Sequence, residues 1–258
     1  MSLGILPLGR RPRHPRVLIV GHTGGGKTSL FASLLLDLRA GAGDGAGAGA
    51  GDGAGAAPRA AAFAARDATV TSSEPGRCVL PCGGGASVEL VDVPGDPRLR
   101  TSLLGDAPEL WRGVRGIVFV VDSVNFMKDA RVTTELMYEL LTHRQVARHA
   151  GRSTLRMLVC CNKSDKVTAY SADFIKKRLE KELNSIRKSR STLRDTDDAG
   201  GPDAAAAAGG GDGLGGADEA FTFDRKRPID VGMASISVLK NSLEPARAFV
   251  LARDGACA

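Results

Sequence analysis

The sequence predicts an α/β fold, a mostly parallel β-sheet flanked by helices on both faces. Short β-branched runs alternate with helical stretches along the chain, which is the order typical of βαβ units. Most of these runs are apolar without alternation, as expected for strands that are buried on both faces. Ligands of such sheets bind beyond the carboxyl ends of the strands, and the polar motifs of this chain follow those ends.

The predicted elements alternate in type along the chain. The strands are short apolar runs, of which the last is the weakest candidate: Arg16–Val20, Val88–Val93, Gly116–Val121, Leu155–Cys161 and Ile229–Met233. The helices have helical spacing of apolar residues and lie between or after these strands: Lys27–Asp37, Lys128–His149, Ala172–Arg190 and Leu243–Ala252.

Two tracts rich in glycine and alanine interrupt this pattern. Residues 41–57 hold 8 Gly in 17 positions, and residues 199–217 hold 8 Gly in 19. Gly and Ala bury too little surface to offset the entropy of ordering the chain. We therefore expect one domain at residues 16–253, with disordered insertions at 40–62 and 195–220, preceded by a basic arm at residues 1–15.

The net charge of +6 is unevenly placed, with arginines clustered in the arm. A solvated tail is the simpler reading, although a basic arm can also contact an anionic membrane or nucleic acid. Aromatic residues make up 4% of the chain and do not interleave with the basic residues, so no direct nucleic-acid contact is expected. The five cysteines show no paired metal-ligand spacing. Their odd number and the lack of a secretory signal favour a reducing compartment. No run of 18 apolar residues predicts a membrane-spanning helix.

A phosphate-binding loop is predicted at Gly21–Thr28, which matches the pattern G-x-x-x-x-G-K-[ST] between a strand and a helix. Its glycines let successive backbone N–H groups face a phosphate, and the helix N-terminus adds partial positive charge. Lys27 is expected to reach the β- and γ-phosphates, and the Thr28 hydroxyl to bind Mg²⁺. The predicted phosphate-binding residues are Gly21, His22, Thr23, Gly24, Gly25, Gly26, Lys27, Thr28 and Ser29.

The tetrapeptide Asn162-Lys163-Ser164-Asp165 follows a predicted strand and reads N-K-x-D, the guanine-recognition motif of GTPases. Guanine offers two adjacent donors that one carboxylate can accept, whereas adenine lacks that pair, so Asp165 favours guanine. Lys163 can lie along the base plane, and Asn162 can tie this loop to the phosphate loop. Ser235 and Ile236 follow the last predicted strand and are the candidates for the second half of the base pocket, although a plain strand end is almost as good a reading.

The segment Asp92-Val93-Pro94-Gly95 reads D-x-x-G after a strand. Asp92 is expected to hold Mg²⁺ through water, and the Gly95 N–H to sense the γ-phosphate. The next position orients the attacking water in many GTPases, and here it holds Asp96, the candidate catalytic residue. An ionised carboxylate donates no hydrogen bond, so hydrolysis is expected to be slow. A solvated turn residue is an equally good interpretation of Asp96.

Thr69 is the candidate for the first switch, where its hydroxyl would complete the Mg²⁺ shell only in the presence of a γ-phosphate. Thr71 is the second choice. A threonine on an edge strand is the alternative to both.

Four segments carry a resemblance to a known family: GHTGGGKTSLF, DVPGD, VRGIVFVVDSVNFMKDA and CNKSD with the basic helix FIKKRLEKELNSIRKSRS. They resemble the beta subunits of signal recognition particle receptors, which are Ras/Arf-like GTPases. The resemblance covers about residues 16–194 and implies a P-loop small G-domain. Residues that depart from the family pattern include Asp96, where the family has His or Gln.

The resemblance implies GTP or GDP with Mg²⁺ as bound cofactors and an endoplasmic reticulum membrane location on the cytosolic face. It implies that the GTP-bound subunit holds the N-terminal domain of the receptor alpha subunit through its switch regions. The ribosome and the translocon would then be indirect partners, and the membrane would be reached through an anchor or through the partner. The family usually begins with a transmembrane anchor, which this chain does not show.

Two other functions remain open from the sequence. The first is an Arf- or Rab-like trafficking GTPase that cycles by active hydrolysis, which a Gln after Gly95 would have favoured. The second is a P-loop phosphotransferase, which would need a lid with arginines and would not need the motif at Asn162–Asp165.

Overall fold

A computed structural model describes residues 14–40, 75–82, 86–106, 108–146, 155–196, 214, 220–224 and 229–252. In these ranges strands and helices alternate as the sequence predicts. The strands are β1 Arg16–Gly21, β2 Gly76–Pro81, β3 Ser87–Asp92, β4 Val114–Asp122, β5 Arg156–Asn162 and β6 Asp230–Ser235. The helices are α1 Lys27–Ala40, α2 Pro97–Asp106, α3 Pro108–Trp111, α4 Phe126–Leu141, α5 Ala172–Thr196 and α6 Glu244–Leu251.

The strands form a single sheet in the order β2-β3-β1-β4-β5-β6. All neighbours pair in parallel except β2, which pairs antiparallel with β3 at one edge. The carboxyl ends of β1, β3, β4 and β5 therefore meet at one edge of the sheet. The predicted α/β class and mostly parallel sheet are confirmed.

Each face of the sheet is covered by helices, because residues of one strand point alternately to the two sides. Leu18 and Val20 of β1 pack with residues of α4 and α5, including Met137 and Leu179. Val17 and Ile19 pack on the opposite side, together with apolar residues of α1 and α6. All four β1 residues are buried, which explains why β1 reads as a continuous apolar run.

Three elements have no counterpart in the prediction. Strand β2 lies at the sheet edge, where only Leu80 is fully buried, so it lacks a long apolar run. The helices α2 and α3 each begin with a proline, which is acceptable at the first helical position but resembles a break in the sequence.

Several predicted boundaries shift. Helix α4 ends at Leu141, well before the predicted end at His149. At its end the Thr142 hydroxyl donates to the Tyr138 carbonyl oxygen at 2.8 Å. Helices α1 and α5 continue to Ala40 and Thr196, so residues 40, 195 and 196 belong to helices and not to the predicted insertions. Leu214, placed in the second insertion, is buried in the core. The remainder of both tracts and residues 1–13 of the arm lie outside the described residues.

Candidate functional site

The phosphate loop leaves β1 and enters α1 as the motif predicts. Gly24 and Gly26 have φ angles of 78° and 90°, a left-handed conformation that glycine adopts without strain. Gly26 also has no room for a side chain, since a Cβ would lie 2.3 Å from Asn162 Nδ2. The glycines therefore serve both the curl of the loop and its close contact with the loop after β5.

Lys27 is the first residue of α1 and is 6% exposed. Its Nζ donates to the His22 carbonyl oxygen at 3.0 Å, which folds the side chain back over the loop. Burial lowers the pKa of Lys27, while the nearby Asp92 charge opposes that shift. A buried ammonium with little compensating charge is suited to receive an anion such as a phosphate.

Thr28 and Asp92 come together where α1 begins and β3 ends. The Thr28 hydroxyl donates to Asp92 Oδ2 at 2.7 Å. The other carboxylate oxygen, Oδ1, is buried and has no hydrogen-bond partner among the described residues. Burial raises the pKa of Asp92, an effect that Thr28 and Lys27 oppose. A hydroxyl beside an unsatisfied carboxylate oxygen fits Mg²⁺, which is usually bound by one or two protein oxygens together with phosphate and water.

Gly95 lies directly against the phosphate loop. A Cβ at this position would be 2.5 Å from Lys27 Nζ and 3.0 Å from the Thr23 Cα. The loop after β3 therefore approaches the phosphate loop so closely that a side chain at this position would displace Lys27 Nζ. This is the arrangement expected if the Gly95 N–H is to reach a γ-phosphate bound at Lys27.

Asp96, the predicted catalytic residue, contacts the helix that follows it. Its Oδ1 accepts hydrogen bonds from the backbone N–H groups of Arg98 at 2.9 Å and Leu99 at 3.3 Å. This is an N-cap of α2, which begins at Pro97. The carboxylate accepts from N–H groups that the first turn of α2 leaves without a partner in the helix. These contacts agree better with the interpretation of Asp96 as a turn residue than with a catalytic role.

We expect Asp96→Ala to lower the free energy of unfolding by about 1 kcal/mol, the usual cost of a lost N-cap. It should leave the rate of GTP hydrolysis unchanged, because the carboxylate is engaged by the helix. Chemical denaturation and single-turnover phosphate release measure the two quantities. Asp96→Asn keeps the acceptor oxygen and serves as the control. Faster hydrolysis in Asp96→Gln or Asp96→His would instead place this position beside the attacking water.

Asn162 joins the loop after β5 to the phosphate loop. It is 3% exposed, and its Nδ2 donates to the Gly25 carbonyl oxygen at 2.9 Å. Its Oδ1 accepts from the Val238 N–H at 3.2 Å. One amide thus connects three segments that are distant in sequence, as the motif predicts for its tying role.

Lys163 crosses over the phosphate loop. Its Nζ donates to the Gly24 carbonyl oxygen at 3.1 Å and forms an ion pair with Asp122 at 2.6 Å. Its φ angle of 65° is rare for a non-glycine residue, and such strain is typical of functional loops. These contacts hold the aliphatic stem across the loop, where a base plane can lie against it.

Asp122, which ends β4, was not among the predicted site residues. Burial opposes its ionisation, but hydrogen bonds from Lys163, Asn125 and Val124 outweigh burial and hold its carboxyl pKa below the usual value. It directly follows the predicted strand Gly116–Val121, and this position at the carboxyl end of a strand could have identified it as a site residue.

Ser235 and Ile236, the candidates for the second half of the base pocket, are engaged with β5, and the serine that contacts Asp165 lies two residues beyond Ser235. Ser235 is the last residue of β6 and pairs with Cys161. The Ile236 N–H donates to the Cys161 carbonyl oxygen at 2.9 Å, so it is engaged in the sheet and not directed at a base. Ser237 instead donates its hydroxyl to Asp165 Oδ1 at 2.7 Å. The strand continues to Ser235 where the prediction ended at Met233, and the loop is shifted accordingly.

Asp165 is partly exposed and lines a cavity of about 230 Å³. The hydrogen bond from Ser237 lowers the pKa of the Asp165 carboxyl, which keeps it an acceptor. Val238 and Leu239 line the same cavity together with Asn162, Lys163 and glycines of the phosphate loop. The cavity therefore connects the predicted base-binding and phosphate-binding segments.

The remaining predicted residues differ in position. Ser29 lines the same cavity, whereas His22 is half-buried and Thr23 is exposed. Thr69 and its alternative Thr71 lie outside the described residues, so the first switch remains a prediction.

Comparison with protein families matches residues 12–209 to the model of the signal recognition particle receptor beta subunit. This covers more than half of the chain. The chain belongs to the signal recognition particle receptor beta subunit family.

Relatives in this family align over somewhat less than half of the chain. The rat beta subunit is 37% identical over 115 residues, which are 45% of this chain and 40% of the relative. The beta subunit of Saccharomyces cerevisiae is 32% identical over 122 residues, 47% of this chain and 48% of the relative. The matches thus span from two-fifths to about half the length of these relatives.

Solved structures share the fold over most of the chain. The mammalian signal recognition particle receptor superposes with a TM-score of 0.60 at 25% identity, covering 92% of this chain and 98% of the other. The SRb-GTP/SRX complex from Chaetomium thermophilum gives 0.58 at 21% identity, covering 88% and 90%. The small G-domain fold is therefore confirmed. In the described ranges, no helix has the length and apolar character needed to cross a membrane.

Proposed function

We propose that this chain is the GTP-binding subunit of a signal recognition particle receptor and acts as a GTP-dependent switch. In its GTP-bound state it holds the receptor alpha subunit at the cytosolic face of the endoplasmic reticulum membrane for co-translational targeting. The observation that carries the proposal is the connection made by Asn162, which joins the phosphate loop to the base loop around one cavity. Ribosome and translocon are reached indirectly, through the alpha subunit.

The geometry supports guanine nucleotide with Mg²⁺ as the ligand. Asp165 is held as an acceptor by Ser237, which suits the paired donors of guanine. Lys27 is a buried cation beside the loop amides, and Thr28 with Asp92 offers oxygen ligands to the metal. Solved relatives from Chaetomium thermophilum in GDP and GDP-Mg forms have the same fold.

A holding function is favoured over rapid turnover by the position after Gly95. Asp96 there caps α2, and an ionised carboxylate offers no hydrogen bond to orient an attacking water. The surface next to Asp96 is available to a partner, since Leu99 is 39% exposed. The SRb-GTP/SRX complex supports this reading, because it joins a GTP-bound relative to a second protein.

The first test is to denature the purified chain and identify the released nucleotide by chromatography. We expect mostly GTP, because slow hydrolysis preserves it. Mostly GDP would favour the cycling Arf- or Rab-like GTPase. An adenine nucleotide would contradict the guanine pocket.

The second test measures binding to the alpha subunit's N-terminal domain. We expect the chain loaded with a non-hydrolysable GTP analogue to retain that domain roughly tenfold or more better than the GDP-loaded chain, a coupling of about 1.4 kcal/mol. Leu99→Asp should abolish retention without changing nucleotide affinity. Equal retention in both nucleotide states would contradict a GTP-dependent switch.

A further inference from the structure

Arg100 lies in the first turns of α2 and is only 5% exposed. Its neighbours Arg98 and Leu99 are exposed, so the burial of Arg100 does not reflect the general surroundings of this helix end. Guanidinium groups are rarely buried to this extent unless they are paired. The position of Arg100 therefore needs an explanation in terms of its contacts.

Its contacts lead to the loop that carries Gly95. The Arg100 Nη1 donates to the Gly95 carbonyl oxygen at 3.2 Å, and the Arg100 backbone N–H donates to the Asp96 carbonyl oxygen at 2.9 Å. The Arg100 Nε is buried without a hydrogen-bond partner among the described residues. With the N-cap formed by Asp96, these contacts join Gly95 to the first turns of α2 as one unit.

The same unit lies beside the phosphate-binding lysine. Lys27 Nζ occupies the space that a Cβ on Gly95 would need, and the charge of Arg100 contributes to lowering the pKa of Lys27. Burial also lowers the pKa of Arg100, against the opposing charges of Glu139 and Asp96. Two buried cations near one glycine create a positive potential where the added charge of a γ-phosphate would be placed.

We propose that Arg100 is a positioning residue that fixes Gly95 to α2 and so makes the site prefer GTP over GDP. The inference rests on the proposed function, since it takes this site to bind guanine nucleotides. The Gly95 N–H can meet a γ-phosphate at low entropic cost only if its backbone is already held, and the guanidinium holds the carbonyl of that residue. GDP has no γ-phosphate, so its affinity does not benefit from a fixed Gly95 backbone.

The tie also gives the nucleotide a route to the surface. Because Arg100 joins Gly95 to α2, a γ-phosphate that binds the Gly95 N–H also stabilises α2 and its exposed side chains Arg98 and Leu99. The face that we propose for partner binding would then differ between the two nucleotide states.

The test compares nucleotide affinities of the purified full chain with Mg²⁺, using fluorescent GDP and a fluorescent non-hydrolysable GTP analogue. For Arg100→Gln we expect the preference for the GTP analogue to fall roughly tenfold, as for the loss of one hydrogen bond to a charged group, with GDP affinity nearly unchanged. Arg100→Lys keeps a cation but loses the planar guanidinium fork, and it should recover part of the preference. Arg98→Gln, an exposed neighbour, is the matched control and should behave as the wild type.

Equal losses of GDP and GTP affinity in Arg100→Gln would indicate a purely structural role and overturn the inference, as would an unchanged preference. Hydrogen exchange on the wild type provides a check that requires no variant to fold. The peptide containing Gly95–Arg100 should gain protection with the GTP analogue and not with GDP, and identical protection would also overturn the inference. If the wild type binds neither nucleotide, the proposed function itself fails.

Discussion

Lys27→Ala is expected to reduce the affinity for GTP and GDP by at least roughly 100-fold, corresponding to about 3 kcal/mol. Lys27 Nζ is a buried cation at the phosphate loop, and it donates a hydrogen bond to the His22 carbonyl oxygen of that loop. A bound phosphate would lose its main compensating charge. Isothermal titration with GDP and with a GTP analogue measures the loss directly.

The nucleotide-free variant should remain folded. Because burial lowers the pKa of Lys27, the charged ammonium is unfavourable in the empty loop, and its removal relieves that cost. The thermal midpoint of the nucleotide-free protein should therefore change by only a few degrees. Lys177→Ala, on the exposed face of α5, is the control for loss of one positive charge. Retained nucleotide affinity in Lys27→Ala would contradict the assignment of the loop.

The phosphate loop and the tie at Asn162 could be predicted from sequence because both depend on local chemistry. Positive φ at Gly24 and Gly26 requires glycine, and the strand–loop–helix order fixes where the loop amides point. The predicted tie from Asn162 to this loop follows from the parallel sheet, which brings the ends of β1 and β5 to one edge. The spacing of the motif residues, together with the α/β fold class, was sufficient to predict both features.

The second half of the base pocket could not be placed because it depends on where β6 ends. Residues of β6 are partly exposed, so the strand has no continuous apolar run to mark its limit. An error of two residues moved the predicted serine from Ser237 to Ser235. The contact between Ser237 and Asp165 is tertiary, and no local pattern in either segment specifies it.

Arg100 and Asp96 were obscured for a related reason. Pro97 reads as a break in the sequence, but in the structure it opens α2, with Asp96 as its cap. Once the helix is known, Arg100 is close enough to reach back to Gly95. The missing information was the existence of one helix, which makes Asp96 its N-cap and gives Arg100 a position at the site.

Asp165→Asn is expected to lower GTP affinity by roughly 100-fold or more. The variant side chain no longer offers two acceptor oxygens to the two adjacent donors of guanine, and one of those donors is left without a partner. The amide keeps one acceptor oxygen and places an NH₂ group against a donor of guanine. Xanthine carries a carbonyl oxygen in place of the guanine amine, so the same amide should bind xanthosine triphosphate better than GTP. Competition among GTP, ATP and xanthosine triphosphate against a fluorescent analogue measures the change.

Ser237→Ala provides the matched variant for this prediction. It removes the hydroxyl that donates to Asp165 at 2.7 Å but leaves the carboxylate in place. We expect a smaller loss, roughly tenfold or less for one hydrogen bond, with the guanine preference retained. The equivalent variant at the predicted position, Ser235→Ala, should have no effect on nucleotide affinity, because Ser235 lies in the sheet. Unchanged selectivity for GTP over ATP in Asp165→Asn would show that Asp165 does not read the base. An effect of Ser235→Ala equal to that of Ser237→Ala would show instead that the base loop begins where the sequence first placed it.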